Sequence, residues 1–346
     1  MRLSAFLLLA LSFVAANRTA TGQDHHDWHF TTIDFPEAVD TYGYDMNTDG
    51  TIVGAYRDSR GKLHGYVRSA TGEFATFDIP GANSTKGLGI NSRGDIVGNY
   101  ILPGELIRHG FLLIRGNITV IDPPGSIFTQ PYGINDRGEI TGRYCTIGNT
   151  CFREDSEDFH CFLLSKAGYT TIDFPGGHET HCYKSNSRGE IVGSYIGDTD
   201  GRNHVFLLSR HGQFMTIDFP GALETDPIPG QGGINSHGDI VSWYCEAEPC
   251  VTNEIKNHGF LLTRGEFITI DFPGTHGGYL TGINSRGDIV GIYTNAVGYH
   301  AFLLLRGERD DDDCDGDCGD GDVRQEGIPT RPSLAGTRSG RPGTVQ

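Results

Sequence analysis

The chain has 346 residues, 50 of them glycine and 15 proline, with a formal net charge of −17. Glycine at that level could mark low complexity, but here it recurs at fixed offsets, which points to turns in a folded body. The acidic balance argues against nucleic acid and against an anionic membrane surface as partners, and the lack of a second apolar stretch of spanning length argues against membrane insertion; neutral sugars, cations and basic proteins remain.

Residues 1–16 read as a secretory signal. Arg2 supplies the positive start, Leu3 to Ala15 an apolar run too short to span a bilayer comfortably, and Val14-Ala15-Ala16 a small-residue cleavage site. The expectation is an exported protein, secreted or periplasmic. Residues 17–29 form a polar lead-in.

From residue 30 to 307 one phrase fills the chain. Its cleanest copy is FITIDFPG, a gap, TGINSRGDIVGIY, a second gap, then YHAFLLLRG, over Phe267–Gly307. The TIDFP segments carry β-branched and aromatic residues and stop at Pro, which cannot donate to a ladder. The hairpin follows, as DMNTDGTIVGAY, GINSRGDIVGNY, GINDRGEITGRY, KSNSRGEIVGSY, GINSHGDIVSWY and GINSRGDIVGIY. Its Asn-x-x-Gly turn suits a type I turn followed by a left-handed residue, where glycine has no Cβ penalty. Tyr ends the next strand in all copies, and HGYV, HGFLL, HCFLL, HVFLL, HGFLL and HAFLL open the third. No helical period is sustained anywhere in this stretch.

The turn glycines, Gly50, Gly94, Gly138, Gly189, Gly238 and Gly287, are spaced by 44, 44, 51, 49 and 49 residues. Four short strands per such period predict an all-β, six-bladed β-propeller. One TIDFP precedes the first hairpin and none follows the last HAFLL. The N-terminal strand is therefore expected to close the last blade, which hides both sheet edges. The phrase GINSRGDIVGxY…HxFLLxRG, with Tyr-His-Ala-Phe at 299–302, resembles the extracellular HAF repeat family. That resemblance covers residues 30–307. It implies secretion and a tandem-repeat β fold, and it carries over no catalytic residue.

Eight cysteines suit an oxidising compartment. Cys145 with Cys151 and Cys245 with Cys250 read as staples on two loops at the same repeat position, and Cys161 and Cys182 can pair across neighbouring strands. Cys314 and Cys318 remain in the tail.

The His of the third strand and the Asp of TIDFP recur in every copy. A catalytic reading makes them His–Asp pairs; repetition favours one buried polar link per blade. Function is then expected where the repeat breaks. Asp45 and Lys184 stand where four other copies have Gly, in the first and fourth copies, which a six-membered ring places opposite one another. They offer an acid and a base across the channel, as a polar ligand site or as drift. Ser242 replaces a strand glycine, and Trp243 beside it is a sugar-stacking platform if exposed and a filler if buried. His178 and His181 have a His-x-x-His spacing that can hold a ligand or metal, with His276 in an equivalent loop.

Irregular gap lengths fall on one face, the expected ligand face. The tail, residues 308–346, begins acidic. Asp311, Asp313, Asp315 and Asp322 match the positions of a calcium loop, although a solvated acidic run matches as easily. The residues after it are rich in Gly, Pro and Arg and are expected to be disordered. No cofactor is otherwise implied. The functional expectation is a binding module for a saccharide, surface polymer or protein. The alternative is a polysaccharide hydrolase or lyase at the channel mouth, by analogy of fold alone, which predicts a cluster of carboxylates or His there, with two carboxyl groups facing each other if it is a glycosidase.

Overall fold

The computed structural model describes residues 28–147, 151, 158–226, 232–247, 250, 257–273, 275 and 277–306. These residues are all β: strands, turns and bends, with no helix among them. Three sheets have four antiparallel strands, one has five, and one has eight. The eight-stranded sheet is joined across its middle by a single parallel pair, Leu63 with Ser84. The other strand pairings are antiparallel, within one copy of the repeat or between the first and last described strands, and one isolated parallel bridge joins Asn257 to Gly277. The strand Trp28–Ile33 lies antiparallel to Tyr299–Arg306, so the N-terminal segment completes the last sheet.

The arrangement is a β-propeller. Innermost strands run Asp40–Met46, Ser84–Ile90, Phe128–Ile134, Gly177–Ser185, Gly233–Ile234 and Gly278–Ile283. Apolar clusters lie between neighbouring sheets and between the two parts of the largest. One, inside the eight-stranded sheet, joins Val53 of its first antiparallel part to Ile90, Ile96 and Phe111 of its second; another joins Ile33, Val290 and Ala301 to Met46, Ile52 and Tyr66, and so seals the first sheet to the last. Burial of alternate residues on both faces of each sheet supplies the driving force, at about 25 cal/mol per Å2 of apolar surface.

The recurring polar residues knit this stack. The six His–Asp pairs all form: His64–Asp78 at 2.8 Å, His109–Asp122 at 3.0 Å, His160–Asp173 at 3.1 Å, His204–Asp218 at 3.0 Å, His258–Asp271 at 2.9 Å and His300–Asp34 at 2.7 Å. The next residue of the phrase serves the following sheet. Phe35 stacks on Tyr56 at 3.7 Å, Phe174 on Tyr195 at 3.5 Å, Phe219 on Tyr244 at 3.7 Å and Phe272 on Tyr293 at 3.9 Å. Each Tyr ring also lies against the His of its own sheet, as Tyr56 does with His64 at 5.0 Å.

The turn asparagines form a second stitch. In each turn the Asn Oδ1 accepts from backbone N–H groups of its own hairpin, as Asn91 does from Arg93 and Asp95 at 3.0 Å each. Its Nδ2 donates to the backbone carbonyl of the next Asn: Asn47 to Asn91, Asn91 to Asn135, Asn135 to Asn186, Asn186 to Asn235, Asn235 to Asn284 and Asn284 back to Asn47, over 3.1–3.4 Å. The circuit is closed. Glycine is required at the turn end: Gly94 has φ +79°, and the equivalent residues lie between +79° and +89°.

Among the described residues three disulfides are present, Cys145–Cys151, Cys161–Cys182 and Cys245–Cys250. The first and third close loops on the irregular face, and the second ties the third strand of one sheet to the innermost strand of the next.

Candidate functional site in the central channel

Five of the innermost strands carry a bulge just before the turn, with register shifts at Gly43/Asp45, Gly87/Gly89, Pro131/Gly133, Cys182/Lys184 and Leu280/Gly282. The bulge re-aims side chains and divides the channel into layers.

At the turn end, the asparagines and their following residues, among them Thr48, Ser92 and Ser285, surround a depression of about 100 Å3. Its floor is Asp45 and Lys184. Most copies have glycine at this level because the backbones crowd; a Cβ on Gly89 would fall 2.8 Å from the Tyr132 carbonyl oxygen. The two side chains that do occupy the level meet. Lys184 Nζ lies 3.0 Å from Asp45 Oδ2 and donates to the carbonyls of Leu88 at 2.6 Å and Tyr132 at 2.7 Å. Asp45 Oδ2 also accepts from Ile90 N at 3.0 Å. Both residues are buried, and burial raises the Asp45 carboxyl against the pull of Lys184 while lowering the Lys184 ammonium against the pull of Asp45. Each is the other's partner, so the pair plugs the channel.

Beyond the plug, Tyr44, Leu88, Tyr132 and Tyr183, from four successive innermost strands, pack into one cluster across the axis. Above this collar, toward the irregular loops, is a polar layer that breaks the repeat completely. The innermost strands place Tyr42, Lys86, Gln130, His181 and Tyr279 there, and the second strands oppose them with Ala55, Asn99, Arg143, Ser194 and Ile292. Arg57 and Arg108 enter from neighbouring strand ends. Arg57 is held by Asp40 at 2.7 Å. Arg108 Nη1 donates to Gln130 Oε1 at 2.8 Å and Arg143 Nη2 to the same oxygen at 3.4 Å, and both guanidinium groups lie over the Phe128 ring at 5.3 and 5.4 Å. Tyr42, Tyr44, Lys86, Arg108 and Arg143 are half-buried, so this layer is a cup rather than a core.

Trp243 is fully buried, edge-on to Tyr279 at 4.7 Å, and offers no face to a sugar. Ser242 is buried beside it. Near it Asp226 is buried too. Burial pushes its carboxyl well above the ordinary range, against the pull of Tyr183, Ser194 and the Trp243 indole, and the Tyr183 hydroxyl donates to it. His178 and His181 take different partners. His178 pairs with Asp198 at 3.0 Å on the surface, whereas His181 is wholly buried, edge-on to Phe159 at 5.7 Å and 3.4 Å from Arg143 Nη1. Burial and the Arg143 charge push the His181 imidazole well below its ordinary value. The strand bulge between them separates the two rings. Among the described residues no group of three or more His, Cys, Asp or Glu is placed to hold a metal. His276, the calcium-loop residues Asp311, Asp313, Asp315 and Asp322, and Cys314 and Cys318 lie outside the described residues.

No family model matches the chain, and no curated protein does. Solved structures do. A putative TolB from Agrobacterium tumefaciens shares 14% identity with a TM-score of 0.51, over 78% of this chain and 91% of its own. The β-propeller domain of the Trilobed protease from Pyrococcus furiosus shares 13%, over 77% and 78%, with a TM-score of 0.47. The fucose-specific lectin from Aleuria aurantia shares 10%, over 80% and 95%, with a TM-score of 0.48. The likeness is one of fold alone.

The sequence reading passed over Lys86, Arg108, Arg143 and Gln130. The signal was present in the residue before each strand-ending Tyr (Ala55, Asn99, Arg143, Ser194, Trp243, Ile292), which differs in every copy while its neighbours repeat.

Proposed function

We propose that the chain is a secreted, six-bladed propeller of the HAF-repeat type that binds a saccharide, or a surface polymer built of saccharides, in the channel cup on its irregular-loop face. The six-blade count treats the eight-stranded sheet as two blades joined by their one parallel pair, and is supported by the closed circuit of asparagines. Secretion is supported by the disulfides, which persist in oxidising compartments. The observation that carries the binding reading is the cup itself: a half-buried, non-repeating set of tyrosines and hydrogen-bonding groups above a plugged channel, on a scaffold whose other polar residues repeat. Exposed apolar tips on the same face, Leu106 at 78% and Val297 at 81%, extend the contact surface. Tyrosine faces pack on sugar rings, and a few convergent polar groups fix orientation.

A glycan array on the purified protein, with pull-down from envelope fractions of the producing cell, tests this reading; negatives in both would sink it. Product analysis on the same array addresses hydrolysis or cleavage. Among the described carboxylates, Asp45 is bound to Lys184, Asp40 to Arg57, and Asp226 is buried beside Tyr183.

A further inference from the structure

The cup concentrates positive charge in an acidic protein. Lys86 comes from an innermost strand, Arg57 and Arg143 from second strands, and Arg108 from just before the third strand His109–Ile114. Only Arg57 has a carboxylate, Asp40. Among the described residues Arg108 and Arg143 make no ion pair, and Lys86 makes neither an ion pair nor a hydrogen bond. Gln130 Oε1 sits between the two guanidinium groups, a neutral oxygen where a carboxylate would neutralise them. Arg143 Nε is buried without a partner. Burial, and then the fields of Arg108 and Arg57, lower the Lys86 ammonium to about 8, and burial with Arg143 lowers Arg108. Like charges brought together and partly desolvated cost stability. The surrounding polar groups, Asn99, His181 and the tyrosines, bring no negative charge.

We propose that the cup recognises an acidic saccharide, with Lys86, Arg108 and Arg143 taking its carboxylate or sulfate group. The inference rests on the binding reading above and names its ligand class. Guanidinium groups present paired donors to a planar or tetrahedral oxyanion, and Lys86 adds a point charge from the next strand. The phenol rings of Tyr42 and Tyr44 lie parallel, 6.1 Å apart at 4°, and Tyr299 is 5.4 Å from Tyr42, so aromatic surface for the sugar body adjoins the charged end.

The test is calorimetric titration of the full secreted chain with oligogalacturonate, its methyl ester, a sulfated oligosaccharide, a neutral maltodextrin and inorganic sulfate. The acidic oligomers should bind on the order of ten-fold or more tighter than the ester and the neutral chain, with affinity falling as salt rises. Lys86→Met and Arg108→Gln should each remove most of that preference while circular dichroism and the melting temperature show a folded protein. Equal binding of acid and ester would overturn the charge reading and leave the binding module standing. Loss of all saccharide binding would remove both. Binding of inorganic sulfate alone would reduce the cup to a simple anion site and overturn the saccharide assignment. A folded Lys86→Met, Arg108→Gln double variant with undiminished preference for the acid would overturn it as well.

Discussion

Replacing Lys184 by Met removes the ammonium from the channel plug and leaves the Asp45 carboxyl buried, with the backbone N–H groups of Ile90 and Met46 as donors. It also strands the carbonyls of Leu88 and Tyr132, which Nζ now serves at 2.6 and 2.7 Å. Removing one partner of a buried, hydrogen-bonded ion pair costs about 3–5 kcal/mol, because an uncompensated group stays behind. For a domain of this size that lowers the melting temperature by roughly 6–20 °C. The double change Asp45→Gly with Lys184→Gly should cost less than the two single changes summed. It installs the residue used at Gly89, Gly133, Gly233 and Gly282 and leaves no buried charge. Equilibrium urea unfolding of wild type, both singles and the double closes the cycle. A Lys184→Met variant within about 1 kcal/mol of wild type would refute the account of the pair as an obligatory plug.

Three further outcomes are expected. Asn91→Asp keeps the Oδ1 acceptor for Arg93 and Asp95 but loses the Nδ2 donor to Asn135 and sets a charge beside Asp95; it should cost about 2–3 kcal/mol in urea, and no loss would argue against the asparagine circuit. Burial would raise the Asp40 carboxyl, but the Tyr299 N–H, Arg57 and Tyr42 together hold it below its ordinary 3.8. A depressed carboxyl stabilises above its unfolded value and loses that contribution as pH falls through the folded one. Asp40→Asn should therefore destabilise by about 1–2 kcal/mol at neutral pH, with the gap to wild type closing below about pH 4; a gap constant with pH would refute it. Cys161→Ser with Cys182→Ser opens a cross-link with a sequence separation of 21 and should cost about 3 kcal/mol, seen as a lower denaturation midpoint that reductant no longer shifts by that amount.

Much of the scaffold was legible because the repeat reports each structural position several times. A His, Asp, Asn or Tyr that recurs in every copy is answering a demand of the ring, and each was found paired within or between sheets. Asp45 and Lys184 were legible for the complementary reason: they depart from glycine in the first and fourth copies, and the structure brings their charged atoms together. What was not legible followed from the bulge. Counting alternate residues back from the hairpin turn along an innermost strand assigns faces correctly only as far as the bulge and fails on its N-terminal side, because two residues there oppose one. Lys86 and Gln130 therefore carried no visible direction. Trp243 illustrates the same limit. It shares its repeat position with Arg143, and whether such a residue faces the cup or the neighbouring sheet depends on Tyr279 of the next innermost strand, which lies 36 positions further along the chain.

The double attachment of each connecting segment has a consequence for how such a chain can be rearranged. Asp34 holds His300 behind it while Phe35 docks on Tyr56 ahead, and Asp173 and Phe174 do the same for His160 and Tyr195. The sheet completed by the N-terminal strand thus carries the same two contacts as a sheet whose third and outer strands are joined by continuous backbone. The unit that is copied along the sequence is offset by one strand from the unit that folds. Opening the ring at another turn between a third and an outer strand would leave every one of these contacts in place.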